Sequence, residues 1–469
     1  MTTPPEQIDQ WLKAPSEHQR LEFKKAREQY DTRKASEYCV ALANEGGGHL
    51  LFGIADAFPR KVIGTRAFRD TVKTADNLFQ VIGFRVNIEE VQHPEGRVLV
   101  FEVPSRPRGT AYHLDGRYLM RSGASLVPMS EDQLRRIFAE GAPDWLDEPA
   151  TANLSAQQVV ELLDTKTYFK LLNLPYPVNP QAVVERLVSE RIVDRETASY
   201  SIRRLGALLL AENLEDFPDV KRKAARVVVY PGTSKLETRL DRTDVKGYAV
   251  GFQGLIGFIM QQMPQNEIIE NALRRETTLV PEIAIRELVA NALIHQDFTI
   301  SGASVMVEIY CNRVEISNPG EPMVPVERFI DGYETRNERL ADLMRRMGIC
   351  EERSSGIDRV IETVEDYQLP PPEFFEVHRR TLVRMFGPMP FESMGRDDRI
   401  RACYQHCALR WVMGEQMTNQ SLRERFKLAK RKTANVSQII TATIDAGLIK
   451  PNGNNSKSRK YARYSPFWA

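Results

Sequence analysis

At 469 residues the chain is longer than one ordinary hydrophobic core can organise, so two to four domains are expected. Its composition, 42% apolar and 27% charged, is that of a globular protein and excludes a wholly disordered one. A net charge of +1 hides an uneven distribution: from Ser393 onward fifteen Lys and Arg stand against five Asp and Glu, so the tail alone is basic.

The opening MTTPPEQIDQWLK lacks the apolar core of a secretory leader, and no run of 18 apolar residues occurs. A cytoplasmic, non-membrane protein is therefore expected. The first ~140 residues read as α+β. LEFKKA and a helical stretch ending at Asn44 lead to Gly46-Gly47-Gly48, which breaks the helix before the nearly continuous apolar strand HLLFGIAD. VLVFEV and RYLMRS are further strand candidates, and Gly141 to Leu154 reads as a linker. Residues 155–213 are expected as a helical connector. A mixed domain follows over 214–390, with a strand (ARVVVYPG), a long helix from Phe252 to Arg275, a second helix (PEIAIRELVANALIH) and strands ASVMVEIY and RVEISN. Pro281 suits a helix start, where its missing N–H costs nothing.

The last segment, 393–469, reads as helices and a basic hairpin. Val436, Ile439, Ile440, Ile444 and Leu448 give an amphipathic spacing that ends at a Gly turn. With the preceding TNQSLRERFKL and the following NGNNSKSRKYARY this is a winged helix-turn-helix pattern. Lys430, Arg431, Lys432, Lys457, Arg459, Lys460 and Arg463 would contact phosphates, with Tyr461 and Tyr464 packed beside the backbone. Thr433, Asn435 and Gln438 are the candidate base readers. The five cysteines, Cys39, Cys311, Cys350, Cys403 and Cys407, are odd in number and scattered, as reduced thiols are. Cys403, His406 and Cys407 could share a helix face, but a structural zinc site wants four ligands and buried cysteines are the simpler reading.

Three acids near the N-terminus stand out: Glu17, Glu22 and Asp56. On a strand, Glu22 and Lys24 share one face while Leu21 and Phe23 face the core. Asp56 ends HLLFGIAD, where a buried strand emerges. Converging carboxylates would hold Mg²⁺ or Mn²⁺, which prefer oxygen ligands. Such an ion activates water and, with Lys24, stabilises charge on phosphate.

SEHQRLEFKKA, ALANEGGGHLLFGIAD, VIGTRAF and RPRGTAYHLDGRYLMRSGAS, in that order over about 130 residues, resemble the Schlafen AlbA-like domain. In that family's nuclease branch two glutamates and the last aspartate of a G-V-D-D strand form the metal site. The resemblance places these on Glu17, Glu22 and Asp56, with Lys24 beside them and Ala55 in place of the first aspartate. Some members with the same residues are regulators rather than nucleases.

PEIAIRELVANALIHQDF resembles the ATP-site helix of a divergent GHKL-type domain, the type associated with helicase C-terminal regions. Glu287 and Asn291, four apart, share a helix face. The resemblance makes Glu287 the general base and Asn291 the magnesium ligand, with Asn318 and Gly320 of RVEISNPGEP in the first glycine box and Gly356 of ERSSGIDR near the second. His295, Asp297 and Arg336-Asn337 fit the same subgroup, His295 and Asp297 as braces of the helix end. Asn318 stands where an aspartate usually receives the adenine amino group, and SSG offers fewer backbone N–H groups than a glycine-rich lid. No G-x4-G-K-S/T loop occurs, which excludes a P-loop helicase.

The expected architecture is thus α+β multidomain: an AlbA-like domain over 1–142, a helical connector over 155–213, a GHKL-like α/β sandwich over 214–390 and a winged helix over 393–469. The expected function is a divalent-metal-dependent endonuclease acting on RNA, tRNA favoured, with ATP as a possible controlling ligand and a homodimer as the assembly. Family context suggests anti-phage or stress defence. The alternative is a DNA-binding transcriptional regulator whose AlbA-like domain does not cleave.

Overall fold

A computed structural model describes residues 3–469 save 13–19, 56–59, 123–124, 142–143, 271–272, 333, 351–355 and 453–461. The chain divides into two compact units, Met1–Pro143 and Asp144–Ala469.

The first unit contains α1 (Pro5–Leu12), β1 (Leu21–Lys24), α2 (Thr32–Asn44), β2 (Gly48–Phe52), α3 (Thr71–Ile82), β3 (Asn87–His93), β4 (Gly96–Val103), β5 (His113–Leu114), β6 (Arg117–Ser122), β7 (Ser125–Pro128) and α4 (Glu131–Ala139). Its main sheet has the order β1-β2-β4-β3, and β5-β6-β7 form a smaller one. β1 and β2 are parallel, Leu21 opposite His49, so the chain must cross over between them, and α2 is that crossover. β2 is buried on both faces. Leu50 and Phe52 join the core under α2 and α3, while Leu51 joins Phe23, Ile8 and Ile54 on the other side. That double burial is why the strand reads as a continuous apolar run. The Asp31 side chain caps the start of α2. Its end needs Gly47 (φ +83°), where a Cβ would lie 2.8 Å from Val103 O, and Gly48, where it would lie 2.3 Å from Arg20 O. Only glycine lets β2 enter between β1 and β4.

The second unit begins with β8 (Pro149–Leu154), α5 (Ala156–Leu162), α6 (Thr165–Leu171), α7 (Pro180–Ser189), β9 (Val193–Arg195), β10 (Tyr200–Arg203) and α8 (Arg204–Leu210). The connector therefore holds its four helices and, in addition, a three-stranded sheet of order β8-β10-β9. β8 occupies part of what the sequence suggests is linker: Pro149 and its polar residues fit an edge strand as well as a loop.

Next come β11 (Arg226–Val229), β12 (Leu240–Thr243), α9 (Tyr248–Gln262), β13 (Gln265–Glu270), β14 (Leu273–Thr278), α10 (Glu282–His295), β15 (Met306–Ile309), β16 (Arg313–Pro319), α11 (Glu338–Arg346), α12 (Ile357–Asp366), β17 (Glu373–Val377) and β18 (Arg380–Phe386). The helix expected from Phe252 to Arg275 stops at Gln262 and gives way to the β13–β14 hairpin. Pro264 is the reason, since it can neither donate to nor pack within a helix interior. The sheet order is β12-β11-β15-β16-β18-β17, with β11 and β15 parallel. Leu255, Ile256 and Ile259 of α9, Leu288 of α10 and Val360 of α12 join one continuous core with the sheet residues Val227, Val307 and Ile316. The opposite face of the sheet carries the cross-strand row Glu308, Glu315, Arg384 and Glu373. Arg384 bridges Glu315 and Glu373 across it, each at 2.8 Å.

The chain ends in α13 (Arg396–Val412), α14 (Asn419–Arg425), α15 (Thr433–Asp445) and the antiparallel pair β19 (Ile449–Pro451) and β20 (Tyr464–Pro466), the winged-helix order expected. Met417, Leu422, Val436, Ile440 and Ile449 close its small core, while Ala408 and Leu409 of α13 belong to the larger core of the preceding domain. Among the described residues no helix is long and apolar enough to cross a membrane.

Candidate functional site

The N-terminal cluster is built on β1. Alternation puts Leu21 and Phe23 in the core and turns Glu22 and Lys24 to the other face, as the spacing predicts. Glu22 is only 1% exposed. Its Oε1 lies 2.5 Å from Lys24 Nζ and its Oε2 lies 2.5 Å from Arg121 Nη2 on β6. Arg121 also donates from Nη1 to Leu21 O (3.1 Å), and its backbone N–H donates to Glu45 Oε1 (2.5 Å). The Lys24 ammonium sits 4.3 Å from the centre of the Tyr38 ring on α2. Burial opposes its charge, but the hydrogen bonds to Glu22 and Tyr38 outweigh burial and raise its pKa. Burial pushes the Glu45 carboxyl up, and Arg121 pulls against it. Glu17 and Asp56 lie outside the described residues.

A divalent ion needs oxygen lone pairs, and both Glu22 oxygens already face cations. Among the described residues no three His, Cys, Asp or Glu side chains gather at metal-binding distance. Among the described residues Glu22, Lys24 and Arg121 form an ion-pair brace between β1 and β6. Arg121 was within the RYLMRS strand, but its pairing with a residue a hundred positions earlier leaves no local signal. Asn44 was missed likewise. Its amide donates to Tyr112 O and Leu119 O, both at 2.9 Å, and accepts from Tyr112 N, tying α2 to β5 and β6.

The second site is a cavity beside α10. Glu287, Asn291 and His295, spaced at four residues, all line it, and Asn318 of β16, Thr381 of β18, Gly356, Glu321, Glu334 and Thr335 add to the polar wall. Ile316, Val383, Leu288, Ala292, Met323 and Phe329 supply an apolar one. Gly356 precedes α12 with φ +73°, and a Cβ there would lie 2.8 Å from Glu287 Oε2 and 3.4 Å from Asn291 Nδ2. Glycine is required so that α12 can start against those two side chains. Burial raises the pKa of Glu287, partly offset by Arg359, whose Nη1 is 3.4 Å from Oε1. Burial, with Arg336 nearby, lowers His295 to about 4, so its imidazole is neutral at pH 7. Asn318 is buried and directs its Nδ2 at Pro319 O (3.3 Å), which leaves Oδ1 as the acceptor it offers to a ligand.

The brace expected of His295 falls instead to its neighbours. Asn337 Nδ2 donates to Ile294 O and Gln296 O at 2.6 and 2.8 Å, closing the end of α10. Asp297 pairs with Arg336 at 3.0 Å, and Arg336 also donates to Glu321 O. The backbone N–H of Gly320 (φ +111°) is satisfied by Arg379 O, and its own carbonyl accepts from Thr381. Gly320 thus shapes the turn beside the cavity rather than lining it. Arg345 and Cys350 also line the cavity and were not singled out from sequence.

In the winged helix, Lys430 and Arg431 are exposed in the turn before α15, whereas Lys432 is held by Glu392 at 2.6 Å. Arg463 is exposed at the start of β20 and reaches Gln416 Oε1 at 3.4 Å. Tyr464 packs on the module's core. Lys457, Arg459, Lys460 and Tyr461 lie outside the described residues. Thr433 bonds Lys430 O, and Asn435 and Gln438 line a shallow groove with Phe391, Arg396, Arg399 and Ile400. Arg396 and Arg399 thus add positive charge that sequence reading did not assign. Cys403 and Cys407 are buried in the core, and both nitrogens of His406 are engaged, Nδ1 by Glu365 (2.9 Å) and Nε2 by Ser421 Oγ (3.1 Å). Those contacts leave His406 no nitrogen for a metal.

Two domain types account for this geometry, an AlbA-like domain and an ATPase-like one. Residues 17–130 match the family model "Schlafen, AlbA_2", and residues 302–385 match "Putative ATP-dependent DNA helicase recG C-terminal". The chain therefore carries a Schlafen AlbA_2 domain followed by a recG-type C-terminal domain, and its role is related to nucleic acid. Among solved structures it is similar to the DIP2311 protein from Corynebacterium diphtheriae, at 18% identity and TM-score 0.44, covering 90% of this chain and 87% of that one. It is also similar to the N-terminal domain of a RecG-related protein from Nitrosomonas europaea, at 18% identity and TM-score 0.21, covering 28% and 92%. No curated protein matches.

Replacing Arg121 by Met takes one of its cations from the buried Glu22 carboxylate and is expected to cost about 3 kcal/mol. Urea unfolding of the full chain measures it, and a loss under about 1 kcal/mol would show that the pair braces nothing. For His295 the folded pKa, about 4, lies below the ordinary histidine value of about 6.5. The stability that neutral His295 contributes is full above about pH 6.5 and is lost as the pH falls toward 4, because the unfolded chain takes the proton first. Between pH 7 and pH 5 the wild type is expected to lose roughly 1–2 kcal/mol more than His295→Gln; equal losses would place His295 in solvent.

Proposed function

We propose that this chain is a nucleic-acid-binding regulator in which the winged helix grips the phosphate backbone and the ATPase-like domain takes an adenine nucleotide in the α10–α12 cavity. One observation carries the reading. The winged helix docks on the ATPase-like domain through α13 and Arg425, while Lys430, Arg431 and Arg463 remain exposed to solvent. A basic face left open beside an amphipathic helix fits the polyanion that such modules hold.

The cavity residues fit a nucleotide. The Asn318 Oδ1 acceptor matches an exocyclic amino group, and Ile316, Val383 and Met323 offer apolar surface to a purine. Arg345 would supply charge to phosphates, and the Asn291 side-chain oxygen is a donor of the kind magnesium takes. A bound magnesium ion would supply charge neutralisation on the phosphates. Glu287, its pKa raised by burial, is suited to orient a water and accept its proton.

A second reading, metal-dependent endonuclease with RNA or tRNA as substrate and a part in defence, is favoured by one observation. Glu22 and Lys24 do lie together on one face of β1, in the segment similar to Schlafen AlbA_2. Its metal ligands would be Glu17, Glu22 and Asp56, with Lys24 beside them.

Binding to a labelled duplex should weaken in Lys430→Ala/Arg431→Ala by a similar factor for unrelated sequences, with the salt slope falling by roughly 2. An unchanged slope would move the contact elsewhere. Incubation with labelled total RNA, tRNA and single- and double-stranded DNA in Mn²⁺, Mg²⁺ or EDTA separates the two readings. The regulator yields no metal-dependent product; a product that disappears in folded Glu22→Gln would replace it with the endonuclease.

A further inference from the structure

The cavity and the winged helix are joined by two elements, each touching both. The first is α12. Its N-cap, Gly356, lines the cavity together with Glu287 and Asn291, and Arg359 in its first turn pairs with Glu287. Nine residues on, a span of about 13 Å along a helix, Glu365 in its last turn accepts from His406 of α13 at 2.9 Å. The same carboxylate lies 3.5 Å from Arg425 Nε of α14, and Arg425 donates to Leu369 O just beyond α12. Gln405 of α13 donates to Pro372 O. Although Ser421, His406 and Glu365 line up as a nucleophile relay would, His406 is 1% exposed and the Ser421 hydroxyl belongs to the cap of α14. The line is a brace between domains.

The second element is the stretch from Met323 to Gly332. Met323, Val324, Phe329 and Gly332 line the cavity. Between them, Glu327 O accepts from the Tyr404 hydroxyl of α13, and Arg328 stacks 5.2 Å from the ring centre of Trp468. Trp468 in turn donates to the Tyr404 oxygen at 3.2 Å. One short stretch of chain is therefore cavity wall on one side and winged-helix seat on the other.

We propose that filling the cavity alters how tightly the winged helix holds nucleic acid, with α12 and the 323–332 stretch as the connecting parts. This rests on the nucleotide reading of the cavity. Any ligand that shifts Gly356 or Phe329 acts directly on the groups that seat α13 and α14, because both connections are short and packed. The linkage is reciprocal: nucleic acid must change nucleotide affinity by the same factor.

The test uses the full chain, a fluorescent 20-base-pair duplex, and a non-hydrolysable ATP analogue with Mg²⁺. Duplex affinity is measured with and without saturating analogue, and analogue affinity with and without saturating duplex. The expected result is a shift of about fivefold or more in each, equal in both directions. Glu365→Ala should bring the factor toward one while leaving each separate affinity within about twofold. Because that change strips Arg425 of its carboxylate, Glu365→Gln, which keeps an acceptor for His406, is measured beside it and should retain part of the factor. If both ligands bind and neither alters the other by more than twofold, the coupling is overturned and the nucleotide reading stands. If the analogue does not bind at all, the nucleotide reading falls and takes the coupling with it.

Discussion

The ATPase-like domain depends on one difficult contact, a glutamate carboxylate set among apolar side chains. Glu287 is buried beside Leu288 and the α12 face of the core, and a charge there is costly unless something answers it. Arg359, in the first turn of α12, answers it in part, while burial and the neighbouring Asp358 keep the pKa of Glu287 raised. Gly356, at φ +73° and without a side chain, lets the start of α12 come up against Glu287 and Asn291.

Glu22 meets the same problem in the first unit by a different route. It takes two side-chain cations, one from its own strand and one from β6. Two full charges on one carboxylate tie β1 of the main sheet to β6 of the smaller one.

Local patterns in the sequence carried much of this. Two-residue alternation placed Glu22 and Lys24 on one face, four-residue spacing placed Glu287 and Asn291 together, and the apolar spacing of α15 announced the winged helix. Partners brought in from far along the chain were not legible. Arg121 for Glu22, Asn337 for the end of α10 and Glu365 for His406 are set by tertiary packing, which leaves no period to read. Two departures from the sequence expectation have local causes: Pro264 stops α9 by removing a donor, and β8 reads as linker because an edge strand tolerates proline and polar residues. At the end of α10, Asp297 and Asn337 rather than His295 do the bracing.

Ala408 and Leu409 of α13 sit in the core of the domain that precedes them, not in that of the winged helix. The natural seam of the chain accordingly falls between residues 143 and 144 rather than near residue 393. Recombination near that seam would exchange the AlbA_2 segment while leaving whole the core that Ala408 and Leu409 share with the ATPase-like domain. The C-terminal reader is not interchangeable in this way: its first helix and its host must change together, as two halves of one interior.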